Sequence, residues 1–175
     1  LAGTVATETL TVTPTNDKPV ITLANESPAF TEMEGTDTGA NAVVINSALT
    51  IADLDHTTLQ SATVAITNAQ TGDRLVFVDG SGLFDVTFNG SNTSVTLTIK
   101  AGQTPLLADF QAALRLVKFN NTSDTPNTTD RTIDFTVVDP AGLAGTTVTE
   151  TVPVTPTNDK PVITLANESP AFTEM

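Results

Sequence analysis

The side chains able to do chemistry in this sequence are carboxylates and amides placed where apolar runs end. Asn16-Asp17 lies in a proline-bounded stretch. Glu32 and Glu34 close a broken apolar segment, Asp53 and Asp55 follow another, and Asp139 comes directly after Val138. Residues two apart in extended chain point to one side, so Asp53 and Asp55 face the same way. A hard cation such as Ca²⁺ takes six to eight oxygens from carboxylates, amides and carbonyls in tolerant geometry. Loops at strand ends that converge on a linker supply such a set. Taken singly, an Asp or Asn at a strand end is only a turn former, so it is the set as a whole that points to a cation.

Other chemistry is poorly supplied. The absence of Cys removes thiolate metal sites, disulfides and a cysteine nucleophile. The single His, His56, adjoins the Asp53/Asp55 pair, but without a second His or a nucleophile motif it reads as a loop residue. Asp79-Gly-Ser-Gly-Leu-Phe-Asp85 has the outline of a calcium loop and reads better as a turn. No nucleophile–base pair is visible, so an enzyme is not expected. Twenty Asp and Glu stand against seven Lys and Arg, a net charge of −13, and the basic residues are scattered. Nucleic acid and anionic membrane surfaces need clustered cations and are not expected partners. No apolar run is long enough to span a bilayer, so membrane insertion is not expected either.

The elements that must position these residues follow from a repeat. Thr13-Pro-Thr-Asn-Asp-Lys-Pro-Val20 returns as Thr155–Val162, and aligning 1–33 with 143–175 leaves four differences: Val5/Thr147, Ala6/Val148, Leu10/Val152 and Thr11/Pro153. A near-identical segment at a fixed spacing marks a tandem array. One unit then runs over 18–159, with 1–17 the last strand and linker of the preceding unit and 160–175 the first strand of the following one. Asn16-Asp17 and Asn158-Asp159 become equivalent junction residues.

Within the unit, period-two alternation predicts short strands at Val20–Leu23, Ala29–Met33 (after a break at Pro28), Ala42–Ile45, Leu49–Ile51, Leu59–Thr67 and Leu75–Val78. Phe84, Val86 and Phe88 face Val95, Leu97 and Ile99 across an Asn89-Gly90 hairpin signal. Thr104–Leu114 predicts the one helix, with Thr104 as cap, Pro105 at the first position and Leu107, Phe110 and Leu114 as its apolar stripe. Strands at Leu116–Phe119, Arg131–Val138 and Thr146–Thr155 complete the unit. The fold class is all-β, an antiparallel Greek-key β-sandwich with one short helix.

The order of motifs carries a resemblance. Phe135-Thr-Val-Val-Asp139-Pro-Ala-Gly-Leu-Ala-Gly-Thr146, the alternating Val148, Val152 and Val154, and Pro156-Thr-Asn158-Asp159-Lys-Pro161 look like the end of a cadherin repeat. Asp53-Leu-Asp55 is similar to the family's Asp-x-Asp element and Glu32 to its first-strand Glu. The run Asp109–Pro126 with Arg131–Val137, and the 142-residue period, resemble the cadherin-like repeats of large bacterial type I-secreted (RTX) adhesins. The resemblance implies Ca²⁺ at two junctions. Asn16, Asp17 and the Lys18 carbonyl would work with Asp53, Asp55 and Asp139 at the first. Glu32 or Glu34 would join Asn158, Asp159 and Asp73 at the second. Pro14 and Pro156 stand where cadherins place the first linker Asp, and Lys18 and Lys160 replace the linker's final Asn, with the residue before the proline deleted. Fewer ions or weaker sites than at a full cadherin junction are therefore expected.

The function implied is a calcium-stabilised extender repeat on a bacterial cell surface, with neighbouring repeats as partners and strand complementation between molecules through the terminal segments. A glycan- or protein-binding adhesion module is the alternative. Against it, the chain has no Trp or Tyr for stacking on a sugar.

Overall fold

The computed structural model describes residues 3–35, 37–165 and 174. Its elements are β1 (Val20–Thr22), β2 (Phe30–Thr31), β3 (Val43–Val44), β4 (Thr50–Ala52), β5 (Ser61–Ile66), β6 (Asp73–Val76), β7 (Phe84–Phe88), β8 (Ser94–Ile99), α1 (Leu107–Leu114), β9 (Lys118–Asn121), β10 (Arg131–Val138), β11 (Val148–Val152) and β12 (Val154–Thr155). One sheet is five-stranded, in the order β11-β10-β5-β8-β7. The opposing layer is assembled from β3-β9-β6, β1-β4 and the pair β12-β2. The result is an all-β sandwich with one short helix. It departs from a purely antiparallel arrangement at β12-β2, which is parallel.

The break in the final strand has a chemical cause. Pro153 has no N–H, so it cannot continue the ladder β11 makes with β10. Val152 is the last residue registered on β10, opposite Arg131. The Pro153 carbonyl accepts from Phe30 N at 2.9 Å instead, and β12 pairs with β2 in the other layer. The expected continuous strand Thr146–Thr155 is thus two strands that serve both sheets. Asn46, fully buried, ties the chain just after β1 to β11: its amide bonds Ala24 N and O and the Glu150 carboxylate.

β10 organises the core. Arg131, Ile133, Phe135 and Val137 all point inward, and the same phase carries Asp139 inward just beyond the strand. β5 (Ala62, Val64, Ile66) and β8 (Val95, Leu97) extend this apolar row across the same sheet, and Phe30 meets Phe119 of the opposing layer edge-on at 5.4 Å between ring centres. The helix starts later than the sequence suggests. Leu106 rather than Thr104 is the N-cap, and the Asp109 carboxylate accepts from Leu106 N at 2.7 Å. Thr104 is displaced because the Pro105 carbonyl is taken by Thr58 Oγ1, which ties that residue to the loop before β5. Phe110, Ala113 and Leu114 bury the helix against the sheet edge, with Phe110 4.7 Å from Phe84. The hairpin of β7 and β8 forms, but over the four residues 90–93. Asn89 Oδ1 accepts from Thr93 N and Ser94 N, and Asn92, with φ 56°, takes the left-handed position instead of Gly90.

Residues 3–13 repeat the sequence of 145–155 closely, yet they form no strand and are exposed. A strand needs ladder partners and a cover for its apolar face. The places beside β10 and β2 are already filled by β11 and β12, which leaves Leu10 and Val12 at 86% and 80% exposure where Val152 and Val154 are buried. The first strand expected over 161–175 lies mostly outside the described residues.

At the start of β10 the guanidinium of Arg131 is fully buried, 2.6 Å from the buried Asp73 carboxylate. Asn121 Nδ2 donates to the same carboxylate at 2.7 Å, and Arg131 also donates to the carbonyls of Asn127 and Thr129. A buried pair of this kind adds little net stability as a pair but is costly to break, because one charge is left without its counter-ion. Arg131→Met and Asp73→Asn should each lower unfolding stability by about 3–5 kcal/mol. The double variant should lose clearly less than the sum. Urea unfolding of the four proteins measures that coupling.

Candidate metal centre

Two carboxylate clusters lie at opposite ends of β10. Arg131 and Val138 are seven strand steps apart, about 23 Å at ~3.3 Å per residue. The first cluster is at the Val138 end. Alternation buries Asp139, and the turn that follows, with Gly142 at φ 87°, brings Leu143 N to Asp139 Oδ1 at 2.8 Å. Asp53 follows β4. Its Oδ1 accepts the backbone N–H groups of Asp55 and His56, both at 2.9 Å, which fixes the carboxylate at the sandwich end. Asp53, His56 and Asp139 each bring a ligand atom within 4.8 Å of the others.

The linker docks onto this cluster. Asn16 Nδ2 donates to Asp139 Oδ2 at 2.7 Å and Asp17 N to Asp55 Oδ2 at 2.5 Å. The Lys18 ammonium turns instead to Thr146 Oγ1, at 2.9 Å. Gly145 permits the close passage. A Cβ at this position would collide with the carbonyl of Pro19, which directly follows the linker. Of the residues expected here, the structure gathers Asp53 and Asp139 with His56, brings the Asn16 amide nitrogen and the Asp17 backbone N–H onto Asp139 and Asp55, and does not bring the carboxylates of Asp17 and Asp55 or the Lys18 ammonium into that group.

Two atoms here have no partner. Asp53 Oδ2 and His56 Nδ1 are buried without a hydrogen bond, and the Asp53 side chain has no exposed surface. The Asp53–His56 approach of 3.7 Å is too long for a hydrogen bond. An unsatisfied buried polar atom ordinarily costs about 1–3 kcal/mol. Among the described residues no Lys or Arg pairs with Asp53, Asp55 or Asp139. Two carboxylates side by side, an orphaned buried carboxylate atom and no paired Lys or Arg among the described residues make a donor set that a dication would fit.

The second cluster is at the Arg131 end. Glu32 follows β2 and is buried, and Asp159 and Asp124 approach it within the same 4.8 Å limit. The second linker also docks on its cluster, but through different atoms from the first. Thr157 N donates to Glu32 Oε2 at 2.7 Å, Thr157 Oγ1 to the Glu32 carbonyl at 2.7 Å, and Gly35 N to Asp159 Oδ1 at 2.5 Å. Of the two glutamates it is Glu32 that joins the cluster. Glu34 is half exposed and pairs with Lys160 Nζ at 3.0 Å. Among the described residues, Asn158 Nδ2 bonds the Asp159 carbonyl, at 3.3 Å, and no carboxylate of the cluster.

Asp73 is not among the three gathered carboxylates. Both its oxygens are engaged, Oδ2 by Arg131 and Gln70 N and Oδ1 by Asn121, so its chemistry is that of Arg131's counter-ion. The carboxylate that arrives in its place is Asp124, on the loop after β9. Asn121 faces Asp73 in the β6–β9 register, its side chain accepts from Ser123 N, and Arg131 holds the far side of the loop through Asn127 and Thr129. Sequence reasoning missed Asp124 because nothing local reveals that β9 lies beside β6.

Asp79 is saturated by Ser81 N, Ser81 Oγ and Phe84 N, which makes that loop a turn. A scan against protein-family models gave no match, and a search of curated proteins gave none.

Burial pushes the Asp139 carboxyl upward, but the Asn16 amide, the N–H groups of Leu143 and Ala141 and the positive potential of His56 outweigh it and hold the group below its ordinary value. A carboxyl depressed by folding contributes stability that is complete above its unfolded value, about 4, and is lost as pH falls through the lower folded value. Thermal melts in EDTA should show the protein losing stability below about pH 4 more steeply than Asp139→Asn, which lacks this titration. Parallel pH profiles for the two proteins would contradict the assignment.

Proposed function

We propose that the chain is a calcium-stabilised structural extender repeat of a bacterial cell-surface adhesin, similar to the cadherin-like repeats of RTX adhesins. Residues 18–159 form the working unit, and the flanking segments belong to its neighbours. The observation that carries the reading is the use of one sequence twice. Asn16-Asp17 and Thr157-Asn158-Asp159 are copies of the same linker, and each docks on a separate carboxylate cluster at a different end of the sandwich. A repeat of this kind passes load from cluster to cluster along β10 and its neighbours.

Calcium at the first junction is held by Asp53, Asp55 and Asp139 of the unit with Asn16, Asp17 and the Lys18 carbonyl of the linker. At the second, Glu32, Asp124 and Asp159 hold it. Bound cation neutralises the facing carboxylates and locks the linker to the sandwich. Without it, like charges in a chain of net charge −13 push linker and domain apart. The protein works outside the cell, where calcium is millimolar. No helix among the described residues is long and apolar enough to cross a membrane.

Extracellular modules bind Ca²⁺ with dissociation constants of ~10⁻⁴–10⁻³ M. Millimolar calcium should then add about 1–2 kcal/mol per site. Melting with calcium should exceed melting in EDTA by several degrees, and small-angle scattering of a two-unit chain should narrow to one extended shape. The same melt and scattering profile in both conditions would sink the proposal.

A further inference from the structure

The first cluster contains a ring nitrogen that an all-oxygen calcium site has no use for. The backbone N–H of His56 is held by Asp53 Oδ1, and the same turn brings the imidazole Nδ1 back to 3.7 Å from that oxygen. Nδ1 ends buried and without a partner, and so does Asp53 Oδ2 of the same pair. The ligand atoms of Asp53, His56 and Asp139 are gathered within 4.8 Å, while the second cluster offers, among the described residues, Glu32, Asp124 and Asp159. The two junctions therefore differ in donor chemistry although their linkers are copies.

We propose that His56 is a metal ligand, and that the first junction is a mixed nitrogen–oxygen site able to take a first-row transition dication in competition with calcium. The inference rests on the first cluster being a cation site. Calcium and magnesium select oxygen, whereas zinc and its neighbours in the first row accept imidazole nitrogen readily and bind a given site more tightly than the alkaline-earth ions. Two buried carboxylates and one imidazole, completed by Asp55 or the Asn16 carbonyl oxygen, form a donor set for such an ion. Calcium occupies the junction by abundance, and a scarce transition ion displaces it by affinity. The second junction, lacking nitrogen, remains selective for calcium.

His56 is the only His in the chain, which makes the test specific. The full chain, stripped with EDTA and dialysed, is loaded with less than one equivalent of MnCl₂ and read by pulsed electron paramagnetic resonance. A directly coupled imidazole nitrogen is expected, and it should vanish in His56→Gln. Calorimetric titration of that variant with CaCl₂ should still show calcium heats, and its melt in EDTA should match the parent. Bound Mn²⁺ with oxygen and water ligands alone, or nitrogen coupling that survives His56→Gln, overturns the inference while leaving the calcium reading intact. No bound Mn²⁺ and no calcium heat overturns both.

Discussion

The constraint on which the structure depends is the period-two register of β10. A strand buried on one face must place every second residue inward. Here that rule carries Arg131 and Asp139 inward along with Ile133, Phe135 and Val137. One inward row thus has a cation at one end, a carboxylate at the other and an apolar core between. A one-residue slip would expose the apolar row, so the packing that fixes the core also fixes both polar ends.

The two ends meet their charges differently. At Arg131 the protein supplies its own counter-ion, Asp73, and the pair is shut off from solvent. The guanidinium then spends its remaining donors on the loop after β9, so its structural role bears indirectly on Asp124 and the second cluster. At Asp139 the protein supplies an amide from Asn16 and no Lys or Arg among the described residues, and it leaves Asp53 Oδ2 without a partner. The first end is closed by the chain itself. The second is arranged as though a cation from outside completes it.

Much of this was legible in the sequence because it is local. Alternation placed the main strands, the duplication marked the two Asn-Asp-Lys-Pro stretches, and Asp53-x-Asp55 and Asp139 follow strands as expected. What was not legible is relational. Asp124 reaches Glu32 only because β9 pairs with β6, and Asp73 is diverted only because Arg131 falls on the inward phase of β10. That phase could have been read one step further in each direction, since Ile133, Phe135 and Val137 already set it. Pro153 could likewise have marked a change of partner, as it marks the one difference between the two copies that removes a ladder donor. His56 was visible as a neighbour of the Asp pair, but whether its ring turns outward or back toward Asp53 depends on the turn that Asp53 itself caps.

The central claim is that two separate cation sites are built at the ends of one strand register. Calorimetric titration of calcium into the parent chain and into Asp139→Asn tests it most directly. The parent should show binding at two independent classes of site, and Asp139→Asn should lose the first junction's heat while keeping the second's. Absence of calcium binding in the parent, or loss of both heats in a variant that remains folded, would contradict the account.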